Sequence, residues 1–173
     1  MIQEARELQN LLLKKQKIKY KRYFFNKFDF DRLSGIIGAR GVGKTTFLLQ
    51  YLKEHNLPFS KKLYISADSI KIDSLFDLAK EFQNSGGKLL IIDEIHKYNG
   101  FENELKKIYD FLELQIIFSG SSALQIDNSK ADLSRRTIVF EVEGLSFREF
   151  LELKNDIILP NFTLNDILDN HID

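Results

Sequence analysis

Eight residues, Gly38-Ala39-Arg40-Gly41-Val42-Gly43-Lys44-Thr45, hold the chemistry most easily read from this chain. They fit G-x-x-x-x-G-K-[ST], the spacing of a loop that wraps phosphate. Glycine tolerates φ > 0 and carries no side chain, so the backbone can close around an anion. Its N–H groups then point inward as a nest, and the positive end of the following helix adds to the field. Lys44 is placed to bridge β- and γ-phosphates, and the Thr45 hydroxyl to ligate Mg²⁺. Nucleotide contacts are expected at Gly38, Ala39, Arg40, Gly41, Val42, Gly43, Lys44, Thr45 and Thr46. The competing reading is a glycine-rich turn that binds nothing.

A phosphate loop binds; hydrolysis needs a group to hold the metal and a group to activate water. Leu89-Leu90-Ile91-Ile92-Asp93-Glu94 offers both. An apolar run ending in Asp puts that carboxylate at the C-terminal edge of a buried strand, where open α/β sheets keep their ligand crevice. Asp93 then reaches the Mg²⁺ shell, and Glu94 orients or deprotonates the attacking water. Acidic pairs after strands also serve as helix N-terminal charges. Phosphoryl transfer further rewards a polar group near the γ-phosphate and a cation on the developing charge. Ser119, in Ser119-Gly120-Ser121-Ser122, is expected to supply the first, with Ser121 and Ser122 as alternative helix caps. Arg135-Arg136 is expected to supply the second; the alternatives are surface arginines or pairs with Glu141 or Glu143. His96 either senses the γ-phosphate or merely follows the strand end.

These residues need a frame. Leu33 to Ile37 is a short apolar run, and Phe47, Leu48, Tyr51 and Leu52 recur at helical spacing after the loop. Further strands are predicted at Leu63 to Ser66, Leu89 to Ile92, Gln115 to Phe118 and Ile138 to Val142. Helices are predicted over 3–16, around Leu75 to Phe82 and from Phe101 to Leu112. Ser146-Phe147-Arg148-Glu149 reads as a capping box opening a helix with Phe147, Phe150 and Leu151 inward, and Thr163-Leu164-Asn165-Asp166 as the start of another. Strands alternating with helices predict a parallel five-stranded sheet covered on both faces. The division expected is an N-terminal helix with a basic and aromatic segment over 1–31, a core that carries the phosphate loop over 32–153, and a linker or the start of a further element over 154–173.

Composition narrows the class. The chain has 173 residues, 43% hydrophobic, with 25 basic and 25 acidic residues and no cysteine. That is globular, without disulfides or thiolate metal sites, and a reducing cytoplasm is the expected compartment. No apolar run approaches the length of a membrane span. A formal charge of zero is not the footprint of a nucleic-acid binder. Locally, Lys14, Lys15, Lys17, Lys19, Lys21, Arg22 and Lys27 interleave with Tyr20, Tyr23, Phe24 and Phe25. That stretch either contacts nucleic acid or is a solvated face whose aromatics pack on the core.

Five segments then occur in order: Gly38–Thr45, Asp93-Glu94-Ile95-His96, Ser119-Gly120-Ser121-Ser122-Ala123, Asp132-Leu133-Ser134-Arg135-Arg136 and Gly144-Leu145-Ser146-Phe147-Arg148-Glu149-Phe150. Over residues 20–153 the chain resembles the AAA domain of a family of bacterial and archaeal P-loop ATPases that carry a C-terminal domain of unknown function. The resemblance implies an AAA-type sheet with the Ser119 strand between the phosphate-loop strand and the Asp93 strand. It implies ATP rather than GTP, Mg²⁺, Ser119 as sensor and Arg136 as an arginine finger acting on a neighbour in a homo-oligomer. It also implies a longer protein, so that this sequence lacks most of the lid and turns over slowly alone. Three functions follow: an ATPase module driving conformational change in a partner or C-terminal domain; a DExH-type helicase motor, from Asp93-Glu94-Ile95-His96; and a nucleotide-gated interaction module without turnover.

Overall fold

The computed structural model describes residues 1–16, 20–25, 27–121, 135–160 and 162. In chain order the elements are α1 (Ile2–Lys15), β1 (Leu33–Gly38), α2 (Lys44–Glu54), β2 (Lys62–Ser66), α3 (Leu75–Asn84), β3 (Leu89–Asp93), α4 (Phe101–Phe111), β4 (Gln115–Ser121), β5 (Ile138–Glu141) and α5 (Phe147–Asn155). Single 3₁₀ turns precede β2 and follow β3. The strands form one parallel sheet in the order β2-β3-β4-β1-β5. The Ser119 strand, β4, thus lies between the phosphate-loop strand and the Asp93 strand. The helix predicted from Thr163 lies outside the described residues.

The continuous apolar run of β3 is what a strand covered on both faces requires. Side chains alternate across the sheet: Leu90 and Ile92 enter one core with α3 and α4, while Leu89 and Ile91 enter a second core with α2. Phe24, Phe25, Phe28 and Phe30 pack against that second core around Phe47, with centroids 5.2–5.9 Å away. Phe28 also stacks on Phe140 of β5 at 4.5 Å. The aromatic residues between α1 and β1 are therefore a strap across α2. Lys21 reaches Glu54 at 2.6 Å. Lys17 and Lys19 lie outside the described residues.

α1 closes the β2 edge. Gln9, buried, accepts the Tyr64 N–H at 2.9 Å, and Arg6 donates to the carbonyls of Phe59, Ser60 and Lys62. An exposed row of strand N–H and C=O groups invites unwanted pairing, and here side chains satisfy it. β5 forms the opposite edge, with Ile138 and Val139 exposed.

α5 departs from the expected packing. Phe147 is 73% exposed and Phe150 41%, while Glu149 is 4% exposed. The residue that turns inward is the carboxylate, because it closes the capping box with Ser146 and pairs with Arg22 at 2.7 Å. Helical spacing alone cannot foresee an ion pair from a strap more than a hundred residues away. Burial pushes the Glu149 carboxyl up, but the Arg22 guanidinium and the Ser146 and Tyr23 N–H groups outweigh it and hold it at about 2, below its ordinary 4.5. A depressed carboxylate contributes stability that is complete above about pH 4.5 and is lost as pH falls toward 2. Glu149→Gln should therefore melt below the wild type at pH 6, with the gap level down to about pH 4.5 and narrowing from there to pH 3. A constant gap in thermal scans across that range would exclude the carboxylate as its source.

Candidate functional site

The turn from β1 into α2 forms the loop. A Cβ at Gly38 would collide with the Val142 carbonyl oxygen, so only glycine lets this strand end lie against the chain leaving β5. Gly43 has φ 96° and caps α2, a conformation that side chains rarely adopt. Lys44 opens α2 and is buried; its Nζ donates to the carbonyls of Gly38 and Ala39 at 2.9 Å each. An ammonium has three N–H donors, and these carbonyls take two.

Register brings the second half of the site to the loop. Ile92 is level with Phe118, and Ile36 with Ser119, so Asp93 and Ser119 emerge at the same C-terminal edge as the loop. Asp93 is buried, with both oxygens engaged. Its Oδ2 accepts from Thr45 Oγ1 and Tyr64 Oη, both at 2.7 Å, and its Oδ1 accepts from Ser119 Oγ. Tyr64 was not among the sequence candidates. Burial, then the Asp93 charge, raises its phenol well above the usual range, so it stays a donor. This set offers hard oxygen atoms without a dedicated cage: among the described residues no three His, Cys, Asp or Glu cluster to hold a metal. A hydroxyl and a buried carboxylate suit Mg²⁺, which keeps waters and takes further ligands from phosphates.

Glu94 follows with φ 54° and ψ 42°, left-handed for a residue with a side chain. Such geometry costs about 1–3 kcal/mol and persists where neighbours enforce it. Here Ser119 Oγ accepts the Glu94 N–H at 3.0 Å. The turn brings Glu94 to a cleft of about 280 Å³ lined also by Arg40, Lys44, Asp68, His96 and Ser121. His96 Nδ1 lies 3.3 Å from Glu94 Oε2 but is not aligned as a hydrogen bond. Ser119 itself is fully buried behind Asp93, and Ser121, level with Gly38, faces the cleft instead. Ser122, Ala123 and Asp132 to Ser134 lie outside the described residues.

A second cavity of about 200 Å³ lies beside the loop, lined by Tyr20, Gly41, Gly43, Thr46, Leu145 and Leu153 among others. The Tyr20 hydroxyl is buried without a hydrogen-bond partner among the described residues. Burial and then the Glu152 charge push its phenol up to about 12.

The structure thus brings Lys44, Thr45, Asp93, Glu94 and Ser119 together. Arg136 is elsewhere. It precedes β5, whose Ile138 is level with Ser34 near the start of β1, so it sits at the opposite edge of the sheet. Its Nε donates to Asp110 on α4 at 3.1 Å. Among the described residues no helix is long and apolar enough to cross a membrane.

Comparison with known proteins bears on the family and the fold. The profile of a family described as an AAA domain matches residues 31–151, well over half of the chain. An uncharacterized protein of Methanocaldococcus jannaschii is 33% identical over 168 residues, covering 91% of this chain and 35% of that protein. An uncharacterized protein of Haemophilus influenzae is 29% identical over 140 residues, covering 73% of this chain and 35% of that protein. The chain spans about a third of the length of these curated relatives. Among solved structures, PCH-2 of C. elegans is similar with TM-score 0.50 and 16% identity, over 98% of this chain and 54% of that one; likeness at that identity concerns the fold alone.

Proposed function

The chain belongs to this AAA-domain family, and from that premise we propose that it is a Mg²⁺-dependent ATPase module whose hydrolysis drives conformational change in a partner or in the rest of a longer protein. One observation carries the reading: the Thr45 hydroxyl, next to Lys44 at the end of the phosphate loop, meets the buried Asp93 carboxylate at 2.7 Å, while the neighbouring residues Lys44 and Glu94 line one cleft. A decorative glycine turn gives no reason for a buried carboxylate to stand there.

In this reading the backbone of 38–44 cradles the phosphates and Lys44 neutralises the β- and γ-oxygens. Thr45 and Asp93 would hold Mg²⁺, with the Asp93 carboxylate already fixed by hydrogen bonds to both of its oxygens. When bound, the metal would supply positive charge that offsets the charge developing on the phosphates. Ser119 and Tyr64 fix the Asp93 carboxylate. Ser121, on the cleft, takes the γ-phosphate contact expected of Ser119. Glu94 accepts the proton of a water whose oxygen bonds to the γ-phosphorus as the bond to the bridging oxygen breaks, giving ADP and phosphate. The cavity beside the loop, with Tyr20, Leu145 and Leu153 on its walls, receives the base. Arg136, at the far edge of the sheet, is suited to act on a neighbour's nucleotide in a homo-oligomer, not on its own.

The nucleic-acid reading is weaker, because Arg22 of the basic stretch is buried in an ion pair and Phe24 and Phe25 pack inward. Calorimetry with ATP, with and without Mg²⁺, together with phosphate release, tests the proposal. A Kd within about 1 μM–1 mM, tightened by Mg²⁺, is expected. No binding at millimolar nucleotide would remove it. Release that rises with single-stranded DNA and falls steeply with salt would shift it to a helicase motor.

A further inference from the structure

The segment Gly144 to Phe150 gives the site above only a cavity wall, at Leu145, yet it carries a buried charge. Glu149 accepts from Arg22 Nε at 2.7 Å and from a terminal Arg22 nitrogen at 3.1 Å. It also takes the N–H groups of Tyr23 and Ser146 at 3.0 and 2.9 Å. The rest of the guanidinium is equally committed. One terminal nitrogen donates to the Val42 carbonyl of the phosphate loop at 2.9 Å, and the other to the Gly144 carbonyl at 2.8 Å. The Arg22 side chain is 13% exposed and that of Glu149 5%. One planar group therefore joins the strap, the phosphate loop, the chain after β5 and the first turn of α5.

The contact at Val42 bears on the loop itself. A trans peptide is planar, with its C=O and N–H pointing in opposite directions. Holding the Val42 carbonyl toward Arg22 therefore aims the N–H of Gly43 the other way. Gly43 is the left-handed residue that caps α2, where N–H groups must converge on a phosphate. At the other end, the Glu149 carboxylate is both the capping-box acid of α5 and the partner of the fork. A shift of α5 by an ångström or two breaks a bidentate pair.

We propose that Arg22 is a positioning residue for the phosphate loop and that the Arg22–Glu149 pair couples occupation of the loop to the seating of α5. This rests on the nucleotide-binding reading above. The test is amide hydrogen exchange of the protein with and without Mg·ATP, beside ATP affinity, for wild type, Arg22→Lys and Glu149→Gln. In the wild type, nucleotide should slow exchange both in the first turns of α2 and in α5. Arg22→Lys keeps the charge but loses the fork; it should weaken ATP binding about tenfold or more. At saturating nucleotide both variants should keep the protection of α2 and lose that of α5. Equal protection of α5 in wild type and variants, or wild-type affinity in Arg22→Lys, overturns the proposal. Should a variant fail to melt cooperatively, the wild type decides alone: protection of α2 without α5 overturns the coupling and leaves nucleotide binding standing. Protection of neither removes the nucleotide-binding reading, and the coupling with it.

Discussion

Glu94→Gln should leave Mg·ATP affinity within about twofold of wild type and lower hydrolysis by roughly two to four orders of magnitude, the usual worth of a positioned general base. Two features of the site favour this split. Among the described residues Glu94 has no hydrogen bond or ion pair to the loop that cradles phosphate; its backbone N–H is held by Ser119 and its side chain lies beside His96 on the cleft wall. Its left-handed backbone is a cost carried by a neighbour, and strain of this kind gathers where a side chain must be aimed. Glutamine adopts the same backbone, so the variant changes the acid and not the turn. Single-turnover phosphate release alongside calorimetry separates the outcomes. Loss of affinity together with rate would make Glu94 part of the binding surface, and retained turnover would pass the base to another residue on the cleft, with His96 and Asp68 as candidates.

How much of this site was legible depends on how local each part is. Lys44 and Thr45 are readable because the loop that positions them is eight residues of continuous chain. Asp93 is readable because a strand buried on both faces declares itself as an unbroken apolar run, and its last residue must sit at the sheet edge. Ser119 and Ser121 are harder. They lie two apart on one strand and so share a face, and alternation cannot choose between them. Depth along the strand does: Ser119 is level with Ile36, beside Asp93, while Ser121 is level with Gly38 at the loop. That depth is a property of strand register, which no single segment encodes.

Tyr64 and Arg22 were out of reach for a stronger version of the same reason. Tyr64 reaches Asp93 from the neighbouring strand, where Ser66 and not Tyr64 is level with it. The contact needs both the pairing and a long side chain leaning toward the edge. Arg22 read as one of seven basic residues in a stretch, and nothing local set it apart. Its partner, Glu149, was legible as a capping residue, and that reading was right as far as it went. What it omitted was the second demand on the same carboxylate, which turned Phe147 and Phe150 outward. The family profile covers both Lys44 and Glu149, but it is the folded chain that joins the two ends of the motif set through one guanidinium.

Lys44→Ala should cost more in nucleotide affinity than any other single change considered, while hardly moving the melting temperature of the protein alone. The two effects separate because Lys44 is a buried cation bonded to two carbonyls of its own loop. Removing it deletes favourable hydrogen bonds but also a charge that is costly to keep out of water, and these terms oppose each other. With nucleotide the balance is one-sided. Charge-assisted bonds of this kind contribute about 1.5–3 kcal/mol each, so losing contacts to two phosphates should weaken binding by about a hundredfold or more. Melting curves amplify the difference. At a nucleotide concentration of about a hundred times the wild-type Kd, the wild type gains about 2.7 kcal/mol and a hundredfold weaker variant only about 0.4 kcal/mol. The nucleotide-induced rise in melting temperature should therefore all but vanish in Lys44→Ala, with the unliganded curves nearly superimposed. Equal rises in the two proteins would mean that nucleotide, if bound, sits somewhere other than the loop at 38–45. Lys44→Arg is the stricter control: it keeps the charge, but the wider planar group does not fit between the Gly38 and Ala39 carbonyls as an ammonium does. It should resemble Lys44→Ala if the loop recognises a compact cation in one place, and the wild type if positive charge alone suffices.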